Sequence, residues 1–276
     1  MSSYDYVIIG AGSSGSALAG RLATNKNSKI LLLEAGPKDY NPYIKLPIGY
    51  GKLFYDQSVN WKYYTEPEEN LHGKKMYWPR GKVLGGSSSI NAMVFSRGSR
   101  NDFEARSAYA SGWSWQDIEP FFRKMETWNG KSDQSRGQSG PVRVTDVSTQ
   151  AHPLTDCFLE ATEQIGISKN PDYNTGNIEG SFVYQTNTHK GLRSSASNAY
   201  LSPIKRRKNL FIITRALVKK ILFEGARAIG VEYSHKGSPK VAHATKEIIL
   251  SAGALGSPQL LQISGIGPAE KLKDLN

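Results

Sequence analysis

A short apolar run, Tyr6 to Ile9, leads directly into Gly10-Ala11-Gly12-Ser13-Ser14-Gly15, and this junction constrains the chain more than any other stretch. β-Branched and aromatic residues in the run predict a buried strand. A helical pattern follows from Ser16 to Ala23, with Ala17, Leu18, Ala19 and Leu22 able to face a sheet. A second strand, Lys29 to Leu33, ends on the acid Glu34. Strand, glycine turn, helix, strand and acid in this order form the dinucleotide-binding fingerprint in its required context. Gly10 permits a tight turn. Gly12, without a Cβ, lets the backbone approach a diphosphate, and Gly15 lets the helix pack on the sheet. The helix start offers free N–H groups and the positive end of the dipole. Glu34 lies nineteen positions after Gly15, suited to accepting a hydrogen bond from a ribose 2′-OH and to repelling a 2′-phosphate. At this level NAD and FAD remain equal candidates, and NADP is disfavoured.

A second glycine cluster runs Arg80-Gly81-Lys82-Val83-Leu84-Gly85-Gly86-Ser87-Ser88-Ser89-Ile90-Asn91. Its low bulk and many N–H and hydroxyl donors suit a phosphate or a flat ring pressed on the main chain. Between the clusters, residues 38 to 78 read as an irregular segment rich in tyrosine and tryptophan. Such a segment is either a lid or a loop packed on the sheet edge. Asn101-Asp102 and Ser114 cap two predicted helices, the second turning Ile118, Phe121, Phe122 and Met125 to one side. Residues 129 to 141, including Ser132, are polar and glycine-rich and predict a linker or mobile loop. Pro153 to Ile165 reads as an amphipathic helix with Leu154, Phe158, Ala161 and Ile165 on its apolar side and Cys157 buried beside them. Further strands are predicted at Val142–Val144, Leu210–Thr214 and Val241–Leu250, with a hairpin of Val218–Phe223 and Ala228–Tyr233. The strand ending at Leu250 meets Ser251 to Pro258, where Ser257 and Pro258 fit the N-cap and first position of a helix. A last helix is predicted from Ala269 to Leu275.

Composition narrows the classes. The 276 residues include no apolar run near the ~20 residues of a membrane-spanning helix. The first strand is predicted to begin by Tyr4, so no signal peptide is expected. The single Cys157 excludes an intrachain disulfide framework, so a cytoplasmic location is expected. The formal charge of +11 comes from 35 Lys and Arg against 24 Asp and Glu. It leaves peripheral association with an anionic membrane face open. Its densest run, Lys205 to Lys208, reads as a solvated loop with no nucleic-acid motif around it, so no nucleic-acid partner is expected. His72, His152, His189, His235 and His243 are isolated from one another and from acids at ligand spacing, so no metal is expected.

Taken together, these motifs resemble the glucose–methanol–choline oxidoreductases, in particular the choline dehydrogenase-like branch. The resemblance rests on the N-terminal fingerprint through Gly36, on Gly81 to Asn91, on Arg97-Gly98 with Asp102-Phe103 and on Gly112-Trp113-Ser114. It rests equally on Arg193-Ser194-Ser195 with Tyr200-Leu201, on Gly253 to Leu261 and on Ser264 to Gly267. It implies an α/β fold: a Rossmann-like FAD-binding domain, mainly residues 1–105 and 191–276, with an inserted lid and substrate-domain portion, mainly 106–190, incomplete at the C-terminus. It implies FAD, its ADP moiety along Gly10, Gly12, Ser13, Ser14, Gly15, Glu34 and Ala35. Val83, Gly85, Gly86, Ser87, Asn91, Ala92, Met93 and Val94 would follow the diphosphate and flavin, Val218 the adenine, and Ala252 and Gly253 would return beside the cofactor. Members with covalent FAD attach it through a histidine of the first signature. Ile90 stands at that place, so non-covalent FAD is expected. The implied activity is oxidation of a small, choline-like primary alcohol to the aldehyde by hydride transfer to flavin N5, with a quinone, a carrier or oxygen as acceptor. The family's base histidine and its partner lie in a C-terminal half, beyond Asn276. A catalytically inactive FAD-binding fragment is the alternative. Arg106 stands where the family usually has tryptophan.

Overall fold

The structure, a computed structural model, describes residues 2–131 and 134–274. The chain forms two compact units, one of Met1–Asn91 with Ser195–Asn276 and one of Ala92–Ser194.

The first unit is built on a six-stranded sheet. Strand β1 (Ser2–Ile9) leads into helix α1 (Ser13–Leu22) and strand β2 (Ile30–Glu34). The later strands are β3 (Leu210–Thr214), β4 (Ala216–Glu224), β5 (Arg227–His235) and β6 (Ser238–Leu250), followed by helix α2 (Gly253–Ile263). Their order is β4-β5-β6-β1-β2-β3. β6, β1, β2 and β3 run parallel, whereas β4–β5 and β5–β6 are antiparallel. The two-residue period of a strand assigns the core. Val7 and Ile9 pack with Leu31, Leu33 and Leu260 on one face. Ile8, Ile30 and Leu32 pack with Ala19 and Ala23 on the other. With both faces covered, Val7–Ile9 of β1 and Ile30–Leu33 of β2 are apolar at every position, which is why they read as continuous runs rather than alternating ones.

Three expectations for this unit change in detail. α1 begins at Ser13, not Ser16, because Gly12 is already its N-cap. The helix after β6 begins at Gly253 with Ala252 as N-cap. Ser257 and Pro258 therefore lie inside it, and Pro258 removes an N–H that the Ala254 carbonyl would have accepted. The aromatic segment is partly regular, with a short helix at Pro42–Lys45 and paired strands Tyr63–Tyr64 and Tyr77–Trp78. Ile44, Leu53 and Val59 anchor it to Val83 and Ile90 in a small core of their own. The last helix covers Ala269–Asp274; Leu275 lies outside the described residues. Arg207 of the basic run donates from Nη1 to the Ala23 carbonyl at 2.6 Å, at the C-terminal end of α1.

The second unit has helices Arg100–Ser107, Trp115–Met125 and Pro153–Gln164 and a parallel strand pair, Glu126–Trp128 with Val142–Val144. Ser99 caps the first helix, two residues before the predicted cap, because Asp102 closes a capping box with it. Ser114 and Asp117 form the second box as expected. Phe121 is exposed, while Ile118, Phe122 and Met125 are half-buried. The predicted linker is anchored: Arg136 within it is buried against Glu126, Asp172 and Gln185. Ser132 lies outside the described residues. Helix Pro153–Gln164 is rotated from the expected orientation. Leu154, Cys157, Phe158, Ala161 and Ile165 are exposed, and the side turned inward carries Thr155, Leu159 and Thr162. Thr162 Oγ1 donates to Ser181 Oγ at 2.8 Å. The inward set is displaced by one residue, about 100° around the helix, from the apolar stripe. Cys157 is therefore not the buried apolar residue its neighbours suggested.

Candidate functional site

In the first unit, the chain leaves β1 for β2 on one side and returns by β6 on the other, so the strand order reverses at β1. Ligands of open α/β sheets bind outside the carboxyl ends of the strands at such a point. A cavity of about 560 Å³ lies there, lined by the ends of β1, β2 and β6 and the start of α2.

The turn after β1 makes this space. Gly10 has φ +93°, and a Cβ on it would overlap the backbone of Ser251 at the end of β6. The first and second glycine clusters then meet. Gly86, at φ +55°, lies so close to Gly12 that a Cβ would stand 2.7 Å from the Gly12 Cα. Gly85 N donates to the Ala11 carbonyl at 2.8 Å. Two segments more than seventy residues apart thus close one low-bulk floor, and their approach depends on the absence of a side chain at Gly86.

Glu34 is buried at the end of β2. Its Oε2 accepts from Ala11 N at 2.9 Å and its Oε1 from Gly36 N at 2.8 Å. Burial pushes the carboxyl up to about 7, while the two backbone N–H groups and the nearby Lys82 cation pull the other way. The side chain therefore ties the glycine turn to the exit of β2. Each carboxylate oxygen has a second lone pair, so the group can hold this bridge and still accept a hydroxyl from the cavity.

Of the residues predicted for the site, Gly10, Gly12, Ser13, Ser14, Glu34, Ala35, Gly86, Ser87, Val218, Ala252 and Gly253 line the cavity. Gly15 sits behind it, packed on the Gly10 carbonyl. Val83 and Gly85 are buried beneath the floor. Asn91 ends the first unit, and Ala92, Met93 and Val94 begin the second, outside the cavity lining. Trp61, Tyr63, Arg80 and Gly81 also line it; the last two open the second glycine cluster, and none of the four carries a site role of its own in the sequence motifs. Their signals were in the sequence, in the aromatic segment and in the residues opening the second cluster, but nothing local says that both fold onto one wall. None of the five histidines lines the cavity.

A family model described as GMC oxidoreductase matches residues 4–274. The chain belongs to the GMC oxidoreductase family. Among curated relatives, choline dehydrogenase, mitochondrial, of Homo sapiens is 45% identical over 280 residues, covering 99% of this chain and 47% of the relative. Among solved structures, pyridoxine 4-oxidase from Mesorbium loti superposes with a TM-score of 0.94 at 34% identity, over 98% of this chain and 53% of that one. An FAD-dependent oxidoreductase from Chaetomium thermophilum superposes with a TM-score of 0.92 at 33% identity, over 99% and 49%. The chain thus spans about half the length of these relatives. The α/β architecture with its parallel sheet agrees with the fold expected of a GMC protein. Among the described residues, no helix is long and apolar enough to cross a membrane.

Proposed function

We propose that this chain is the cofactor-holding part of an FAD-dependent GMC enzyme that oxidises a small, choline-like primary alcohol to the aldehyde. The observation that carries the reading is the cavity at the reversal point, floored by the Gly12–Gly86 approach and walled by Glu34. Its chemistry fits the group. A diphosphate suits bare backbone N–H groups at the start of α1, and a ribose hydroxyl suits a buried carboxylate. FAD, when bound, supplies the hydride acceptor. The residues of this chain bind it, orient it and keep water from the strand ends. The flavoprotein structures and the choline dehydrogenase relatives support the same assignment.

Non-covalent attachment is part of the proposal. Ile90 is buried among Ile44, Leu53, Val59 and Val83 and offers no nucleophilic atom for a bond to the flavin. One observation favours a second reading for this chain by itself, as an FAD-binding fragment without turnover: no histidine lines the cavity. Without a histidine base, the ~10²–10⁴-fold help that such a base gives in general acid–base catalysis is missing. Purified chain should show flavin absorption near about 370 and 450 nm, and denaturation should release all of it to the filtrate. A colourless protein that does not take up added FAD refutes the cofactor assignment. Flavin that stays with the denatured polypeptide refutes only its non-covalent part.

A further inference from the structure

We propose that Arg80 is the cationic binding residue of this cavity and pairs with the diphosphate of the cofactor. The inference rests on the dinucleotide reading above and names a contact outside the glycine turns. Arg80 and Glu34 are the two charged residues of the cavity lining. A dinucleotide diphosphate carries about two negative charges, and the glycine turn opposes them only with neutral N–H groups and a helix dipole.

The backbone around Arg80 is fixed at the junction of the two glycine clusters. Gly81 N donates to Ser87 Oγ at 3.1 Å, and a Cβ on Gly81 would overlap Gly86, the residue that abuts Gly12. Arg80 N donates to the buried Asn60 Oδ1 at 3.1 Å, and the Arg80 carbonyl accepts from Trp61 N at 2.9 Å. The side chain is also braced. Its guanidinium lies 4.8 Å from the Trp78 ring centroid, and Nη1 donates to the Pro79 carbonyl at 2.7 Å. Nε and Nη2 make no hydrogen bond among the described residues. A half-buried, pre-positioned guanidinium with donors to spare, one residue from the meeting point of two phosphate-type turns, matches the forked recognition of phosphate oxygens that arginine performs.

Isothermal titration of the purified chain with ADP and with FAD, at two salt concentrations, tests this. Arg80→Met should weaken both ligands about tenfold or more and flatten the salt dependence of their affinity. Arg80→Gln, of similar length and still a donor, should give a smaller loss with the same flattening. Either variant binding both ligands like the parent overturns the proposal. So does a loss whose salt dependence equals the parent's, since that marks a structural effect. A parent chain that binds neither ADP nor FAD overturns the dinucleotide reading and this contact with it, whereas binding that ignores Arg80 overturns the contact alone.

Discussion

In the unit of residues 1–91 and 195–276, the buried strand side chains are aliphatic except for Tyr233 and Glu34. In the unit of residues 92–194, much of what is buried is charged or polar. Val7, Ile8, Leu31 and Leu32 are fully enclosed in the first. The second buries Arg97, Glu126 and Arg136 against a small apolar cluster of Phe95, Trp128 and Val144. Glu126 Oε1 accepts from Arg97 Nη2 at 2.6 Å and from Arg136 Nε at 2.8 Å. Arg136 Nη1 reaches Asp172 Oδ2 at 2.7 Å, and its guanidinium lies 4.0 Å from the Trp128 ring centroid. Burial and the neighbouring Arg136 cation pull the Arg97 guanidinium down from its ordinary value, and Glu126 pulls it back up. Loss of one member of an aliphatic core costs about 2–5 kcal/mol, less where the site collapses. Loss of Glu126 acts differently: it strips Arg97 of the carboxylate it is paired with and leaves Arg136 paired with Asp172 alone.

The largest predicted effect follows. Glu126→Gln leaves Arg97 and Arg136 facing a neutral amide and should destabilise the unit by about 3–5 kcal/mol in urea unfolding. A change under about 1 kcal/mol would erase the distinction drawn between the two cores.

That distinction also explains what could be read from the residues. β1, α1 and β2 were visible because each signal is local: an apolar run, a glycine turn, an acid at fixed spacing. The ion network has no local signature. Arg97, Glu126, Arg136 and Asp172 are each at least ten positions apart in the chain, and the segment holding Arg136 looks like a linker by composition. Helix Pro153–Gln164 fails for a related reason. Its apolar stripe is real, but a stripe says which side is apolar, not whether anything in the chain covers it. At the site, glycine spacing announced Gly10, Gly12 and Gly86, whereas Trp61 and Arg80 arrive through loops whose course only the fold reveals.

Glu34 breaks the pattern from the other direction, as a buried acid inside the aliphatic unit. Its carboxyl stands at about 7 in the folded chain against an ordinary 4.5. Between these values the folded state keeps a proton that the unfolded state releases. Stability should therefore fall as pH rises through the window of about 4.5 to 7 and level off above it, a difference of roughly 3 kcal/mol. Glu34→Gln should remove that part of the slope. Paired urea titrations across the window check it, and parallel pH profiles for parent and variant would reject the assignment.

Close backbone approach gives a smaller test in the same unit. A Cβ on Gly36 would overlap the Lys82 carbonyl, so strand exit and second cluster must separate to admit it. Gly36→Ala should cost about 1–3 kcal/mol, the range of other overpacked sites. A thermal midpoint unchanged from the parent would mean that this contact is not fixed.

Gly12→Ala separates packing from binding most cleanly. Unlike Gly36, Gly12 has room: a Cβ would have its nearest neighbour, the Gly86 Cα, at an ordinary 4.0 Å. Gly12 is the N-cap of α1 with extended backbone, φ −72°, which alanine adopts freely. As an N-cap, alanine is poorer than glycine, so a cost of about 0.5 kcal/mol is expected in unfolding. The same methyl, however, lies on a cavity-lining residue where a diphosphate would approach bare backbone. Affinity for ADP should therefore fall far more than stability does, by about tenfold or more. If Gly12→Ala instead loses several kcal/mol of stability, the glycine serves the fold as Gly36 does. If it changes neither quantity, the floor of the cavity is not where the phosphates bind.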